Sequence, residues 1–137
     1  MTDFAELHDE LRAVAADVLA ARVGEPVDSA VLAELGWTGL EVADELDGAG
    51  ASFREVAVVA EQLGRNVNGG GYFGSAVLGV GLLNQLTAGA VRDTLLTGIA
   101  AGTTTVTVAI SSEAEAHPGF VVAETADGPR ITGRAPL

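Results

Sequence analysis

The sequence predicts a mainly α-helical unit over residues 1–102, followed by the opening strands of a β unit over residues 103–137. Three observations predict this. Apolar residues recur at three- and four-residue steps through most of the first unit, the spacing of one helical face. Gly, Pro and acidic clusters interrupt that pattern as short connections do. From Thr103 the pattern changes to "TTTVTVAI", an alternation of β-branched residues with the period of a strand.

The elements follow in order. A first helix is expected from Asp3 to about Val23, with Phe4, Leu7, Leu11, Val14, Val18 and Leu19 as its apolar stripe. Glu6, Asp9, Glu10, Arg12 and Asp17 face elsewhere, and Gly24 and Pro26 stop it. Asp28 is a good N-cap for a short helix reaching about Glu34, which Gly36 ends. "GLEVADELDGAG" is too rich in glycine and acid to continue a helix and reads as an ordered loop with tight turns. Trp37 is expected to anchor that joint from the core.

Ser52-Phe53-Arg54-Glu55 fits a capping box, so a third helix starts there. Val56, Val59, Ala60 and Leu63 line its apolar face, and Gly64 is its expected stop. Tyr72–Leu86 is apolar on all sides, as in a helix buried by neighbours. Ala88–Ala100 is one more helix. Strands are expected at 103–110, 119–125 and 129–137, with "ADGP" as the turn between the last two. The chain ends inside a strand-like run, so the remaining sheet partners are expected from elsewhere.

Composition narrows the function. Hydrophobic residues make up 48% and aromatics 4%, so the core is aliphatic. The net charge of -12 repels nucleic-acid phosphates and anionic membranes, which excludes nucleic acid as a partner. Without cysteine there is neither a disulfide nor a thiolate zinc site. The acidic start lacks a basic leader region, so no signal peptide is expected and a cytoplasmic location is. The longest apolar run, Tyr72–Leu83, falls short of the roughly 20 residues of a membrane span. His8 and His117 stand far apart, which argues against a metal site, and His8 reads as a solvated helix residue. Asp44, Glu45 and Asp47 belong to an exposed loop rather than to an acid/base pair.

The stretch "LAELGWTGLEVADELDGAGASFREVAVVAEQLGR", Leu32 to Arg65, resembles the acyl-CoA dehydrogenase family. Members carry a helix ending in Leu-Gly and then a Pro-Glu-Glu-Tyr-Gly-Gly-x-Gly loop. That loop leads into a helix ending Glu-x-Leu-Gly-Arg. Here Ala43–Gly50 occupies the loop and Glu61-Gln62-Leu63-Gly64-Arg65 matches the helix end. The all-apolar helix and the helix-to-strand switch extend the likeness over essentially the whole chain.

The resemblance implies an N-terminal helical bundle and the first strands of a β-barrel-like middle domain. It implies FAD as cofactor, held in a complete assembly, and α,β-dehydrogenation of an acyl-CoA thioester. In the family a glutamate takes the α proton and the flavin takes a hydride. That glutamate comes from a later region, so no catalytic residue is assigned here. The resemblance also implies a homo- or hetero-oligomer with acyl-CoA dehydrogenase-like subunits. A non-catalytic structural subunit and a helical interaction domain are the alternatives.

Site residues follow. Gly69–Gly74 spells G-x-G-x-x-G, but a helix precedes it, so it is no dinucleotide fingerprint. The resemblance places the Tyr72 helix beside the acyl cavity, with Tyr72, Phe73, Ser75, Ala76 and Gly79 as substrate-binding candidates. Close helix packing is the competing reason for its small residues. Ser111 and Ser112 fall where the family has a Thr-Glu-Pro strand end that meets the flavin, so they are the cofactor-binding candidates. Where the family continues Gly-x-Gly-Ser-Asp, this chain reads Ala114-Glu115-Ala116-His117-Pro118-Gly119.

Overall fold

The computed structural model describes residues 4–22, 25–68, 70–110 and 119–135. The chain divides into two compact units, Met1–Thr107 and Val108–Leu137. The first is helical. It contains α1 (Phe4–Ala20), α2 (Ser29–Glu34), a single 3₁₀ turn (Asp44–Leu46), α3 (Phe53–Arg65), π-helical turns (Phe73–Gly79) running into α4 (Val80–Gln85), and α5 (Ala90–Ala100).

Two apolar clusters form its core. Ala15 and Leu19 of α1 pack with Leu32, Trp37, Val56, Val59, Leu63, Tyr72 and Ala76. Val42, Val80, Leu83, Leu96, Ile99 and Ala100 form the second. Trp37 is buried at 3% exposure, the anchor expected of it. The stripe of α1 is narrower than its periodicity suggests: Leu7 and Val14 are exposed, and Ala15 takes the inner place. Among the helices, α3 is the neighbour α1 meets most.

Both α2 and α3 start as the sequence dictates. The Asp28 side chain accepts from Ala30 N, and Ser52 with Glu55 completes the capping box of α3. Glu55 does more than cap. One carboxylate oxygen accepts from the backbone N and the hydroxyl of Ser52, and the other meets His8 Nε2 of α1. His8 is therefore a half-buried tie between two helices and not a solvated residue. These bonds favour the charged carboxylate: with the Ser52 hydroxyl the largest contributor, against burial and with His8 adding, the Glu55 pKa falls to about 2.

Helix α3 does not stop at Gly64. It continues to Arg65, is capped by Asn66, and turns through Val67 at φ 51°. Val67 N donates to Gly64 O and Asn68 N to Leu63 O, the paired bonds of a Schellman ending. The buried Asn68 then pins the α1–α2 connection, accepting from Val27 N at 3.0 Å and donating to Glu25 O at 2.8 Å.

The joint between α2 and α3 is densely bonded. Ala49 N donates to Gly39 O, Gly50 N to Val42 O and Ala51 N to Leu40 O, which doubles the chain back on itself. Gly48 lies so close to Val42 that a methyl there would meet Val42 O at 2.1 Å.

The second unit contains one antiparallel hairpin, β1 (Phe120–Thr125) and β2 (Gly128–Gly133), in register from Phe120↔Gly133 to Thr125↔Gly128. Its turn is Ala126-Asp127, tighter than the four residues expected. The expected strand at 103–110 has no ladder partner among the described residues. Residues 103–107 instead lie against the helices of their own unit.

Candidate functional site

The Tyr72 helix is the element to which the sequence points, and its geometry splits the candidates. Tyr72, Ser75, Ala76 and Gly79 are buried, whereas Phe73 is 60% exposed. Phe73–Gly79 winds in π-helical turns, and the Val80 N–H donates to Ser75 O. Such wide turns are rare and often occur at functional sites. The expectation that neighbours bury the helix on all sides is corrected: Phe73, Leu78, Leu82 and Leu86 are exposed. The helices packed here cover only its inner face.

Tyr72 and Phe73 share a depression of about 200 Å³ with Ala60, Leu63, Gly64 and Asn68. On its other side Tyr72 lines a cavity of about 10 Å³ with Ser75, Ala76, Thr38, Thr104 and Thr105 among its walls. That is room for one water-sized occupant. Tyr72 is 2% exposed, and its hydroxyl has no hydrogen-bond partner among the described residues, like Glu41 Oε2 and Gln62 Nε2. Burial, with the Glu41 charge as a second cause, raises the Tyr72 pKa well above the ordinary phenol range. The group is a neutral phenol at any working pH.

Gly79 has a different environment. A methyl built on it would meet Val106 Cγ2 at 2.2 Å. Val106 N also donates to Ser75 Oγ at 3.3 Å. In α5, Gly98 faces Thr104 in the same way, with Thr104 Oγ1 at 2.4 Å from a built methyl. Sequence reasoning missed Val106 and Thr104. Their signal was present: the threonine–valine alternation puts Thr104 and Val106 on one side of an extended run, and glycines stand opposite.

Asp44, Glu45 and Asp47 are exposed, in keeping with their loop. Asp47 borders a second depression, about 210 Å³, with Ala33, Gly36, Gly39, Gly48, Ala49 and Ala100. Ser111, Ser112 and His117 lie outside the described residues.

The described residues do not by themselves fit FAD. Depressions of about 200 and 210 Å³ fall short of the roughly 300–1,000 Å³ of cofactor pockets. The second also carries an Asp47 carboxylate, which opposes a diphosphate.

A helical unit with an acid-rich joint, a glycine-bearing apolar helix and a following β hairpin defines a class, and comparison agrees. Residues 2–103 match the family described as "Acyl-CoA dehydrogenase, N-terminal domain". The chain belongs to the acyl-CoA dehydrogenase family. A solved variant of the steroid ACAD Tcur3481-Tcur3483 has a similar fold, with a TM-score of 0.73 at 24% identity. The match covers 96% of this chain and 40% of that one. No curated protein matches the chain.

Proposed function

We propose that this chain forms the N-terminal helical part of a FAD-dependent acyl-CoA dehydrogenase-like protein, which desaturates an acyl-CoA thioester between its α and β carbons. The observation that carries the reading is the family match over residues 2–103, joined to a helix whose inner face is small and whose outer face is apolar and exposed. In this role the Tyr72 helix forms a wall beside the acyl group. Tyr72 and Phe73 give it apolar contact and exclude water, and the acid-rich joint holds the wall in place. The catalytic base and the flavin pocket come from outside the described residues, with Ser111 and Ser112 as candidate flavin contacts. FAD supplies the hydride acceptor in the complete assembly. A cytoplasmic setting fits this chemistry, and no described helix is long and apolar enough to cross a membrane.

A second reading makes the chain a non-catalytic structural subunit of a heteromeric dehydrogenase. The exposed Phe73, Leu78, Leu82 and Leu86 favour it, because such side chains in a row mark a surface that another chain covers. The matched structure is titled as a steroid enzyme, which makes bulky polycyclic acyl groups a reasonable substrate class to try.

Expression of this chain alone and with its genomic neighbours tests both readings, with visible absorbance and intact mass of each purified product. Flavin in a co-purified complex that reduces on adding an acyl-CoA is the expected result. A colourless chain that retains no partner would refute both and leave a helical interaction domain.

A further inference from the structure

We propose that Asn68 is a deamidation site that the fold holds closed, and that its conversion to aspartate records an opening of the α1–α2 connection. Asn68 is the only asparagine in the chain followed by glycine: Asn66 precedes Val67, and Asn84 precedes Gln85. A glycine in that place has no Cβ to shield its amide nitrogen. The deprotonated nitrogen attacks Asn68 Cγ, a new C–N bond closes a five-membered imide, and the side-chain amide leaves as ammonia. Water then opens the imide at either carbonyl and gives aspartate or its iso form. One water is consumed and one ammonia released, so the step needs no oxidant and no cofactor. Asparagine counts among the thermolabile residues for such reasons.

The structure opposes this reaction at the side chain itself. Asn68 is 6% exposed. Its Oδ1 accepts from Val27 N at 3.0 Å, its Nδ2 donates to Glu25 O at 2.8 Å, and its own N donates to Leu63 O at 2.9 Å. The attack requires the side-chain amide to swing toward the following nitrogen, and both side-chain bonds resist that swing. The reaction therefore waits until residues 25–27 lift away. Once it has run, the contact does not close as before. An aspartate still accepts from Val27 N, but its other oxygen then meets Glu25 O, two acceptors with no proton between them. The iso form also puts an extra methylene in the main chain and displaces the carboxylate. A buried mismatch of this kind destabilises. Val27 belongs to the same core cluster as Ala15, Leu19 and Leu32, so the loss falls where α1 meets α2. A molecule that has opened there is marked, and the mark keeps the connection loose.

The full chain is incubated at mildly alkaline pH, folded and in urea. Tryptic mass spectrometry follows the gain of about one mass unit at each asparagine. In urea Asn68 is expected to convert at least about tenfold faster than Asn66 or Asn84, and in the folded chain at least about tenfold slower than in urea. Equal rates with and without urea, or no preference for Asn68 in urea, would overturn the proposal. Asn68→Asp reproduces the product. Its Tm is expected to fall by about 4–8 °C at neutral pH. That deficit should shrink as the pH drops through the carboxyl range, because a protonated acid donates to Glu25 O again. Asn68→Ala, which lacks any donor, keeps its deficit at every pH. An N68D deficit that is absent, or that does not change with pH, also overturns the proposal. Should N68D be unfolded at neutral pH, the rates in the parent chain decide alone.

Discussion

Val67 is where the fold departs most from local preference, and replacing it with glycine is expected to stabilise the protein. It follows the C-cap of α3 at φ 51°, the position glycine usually occupies in a Schellman ending. The left-handed conformation costs an L-residue about 1–2 kcal/mol, and a β-branched one stands at the upper end. Its side chain is 94% exposed, so truncation loses almost no packing. The bonds from Val67 N to Gly64 O and from Asn68 N to Leu63 O are backbone and survive. Against the relief stands the extra freedom glycine brings to the unfolded chain, roughly 0.5–1 kcal/mol. The net gain is about 0.5–1 kcal/mol, read as a Tm rise of roughly 2–8 °C for a unit of this size. Calorimetry on Val67→Gly beside Val67→Ala is the assay, since alanine keeps its Cβ and gains little. A Tm that stays level or falls in V67G refutes the reasoning. It would mean that the side chain is covered in solution or that the turn is unstrained.

Two other predictions follow from close contacts within the fold. Gly48→Ala would bring a methyl to 2.1 Å from Val42 O and 2.4 Å from Val42 C, both backbone atoms that cannot yield cheaply. A loss of about 2–3 kcal/mol in urea unfolding is expected, and a change under 0.5 kcal/mol would contradict the tight joint. Glu55 has its folded pKa lowered to about 2 from 4.5, so its contribution is present above pH 4.5 and is lost as the pH falls from 4.5 toward 2. Solvent screening at the edge of the unit holds that contribution to on the order of 1–2 kcal/mol, below what the full shift would give. Glu55→Gln should therefore flatten the acid limb of stability between pH 5 and pH 3, and parallel curves for the two proteins would rule this out.

Much of the architecture was legible because it is locally encoded. The capping box at Ser52–Glu55, the Asp28 cap and the stripe of α3 each rest on residues within a turn or two of one another. So did the ordered joint, whose glycines and acids leave the chain little else to do than turn. The match over residues 2–103 agrees with the family resemblance drawn from Leu32–Arg65.

The tertiary structure alone decided matters that depend on residues far apart in the chain. His8 looks solvated on its own helix, and only the approach of α3 gives it Glu55. Gly64 looks like a stop, but the helix ends later, in a left-handed turn at Val67, beside Asn68, which reaches 41 residues back to Val27. The small residues of the Tyr72 helix advertise room, and only the fold shows Val106 taking it. Periodicity and capping are properties of a few neighbouring residues and survive in the sequence. Which side chain fills a given space depends on how distant segments pack, and no short stretch of sequence carries that.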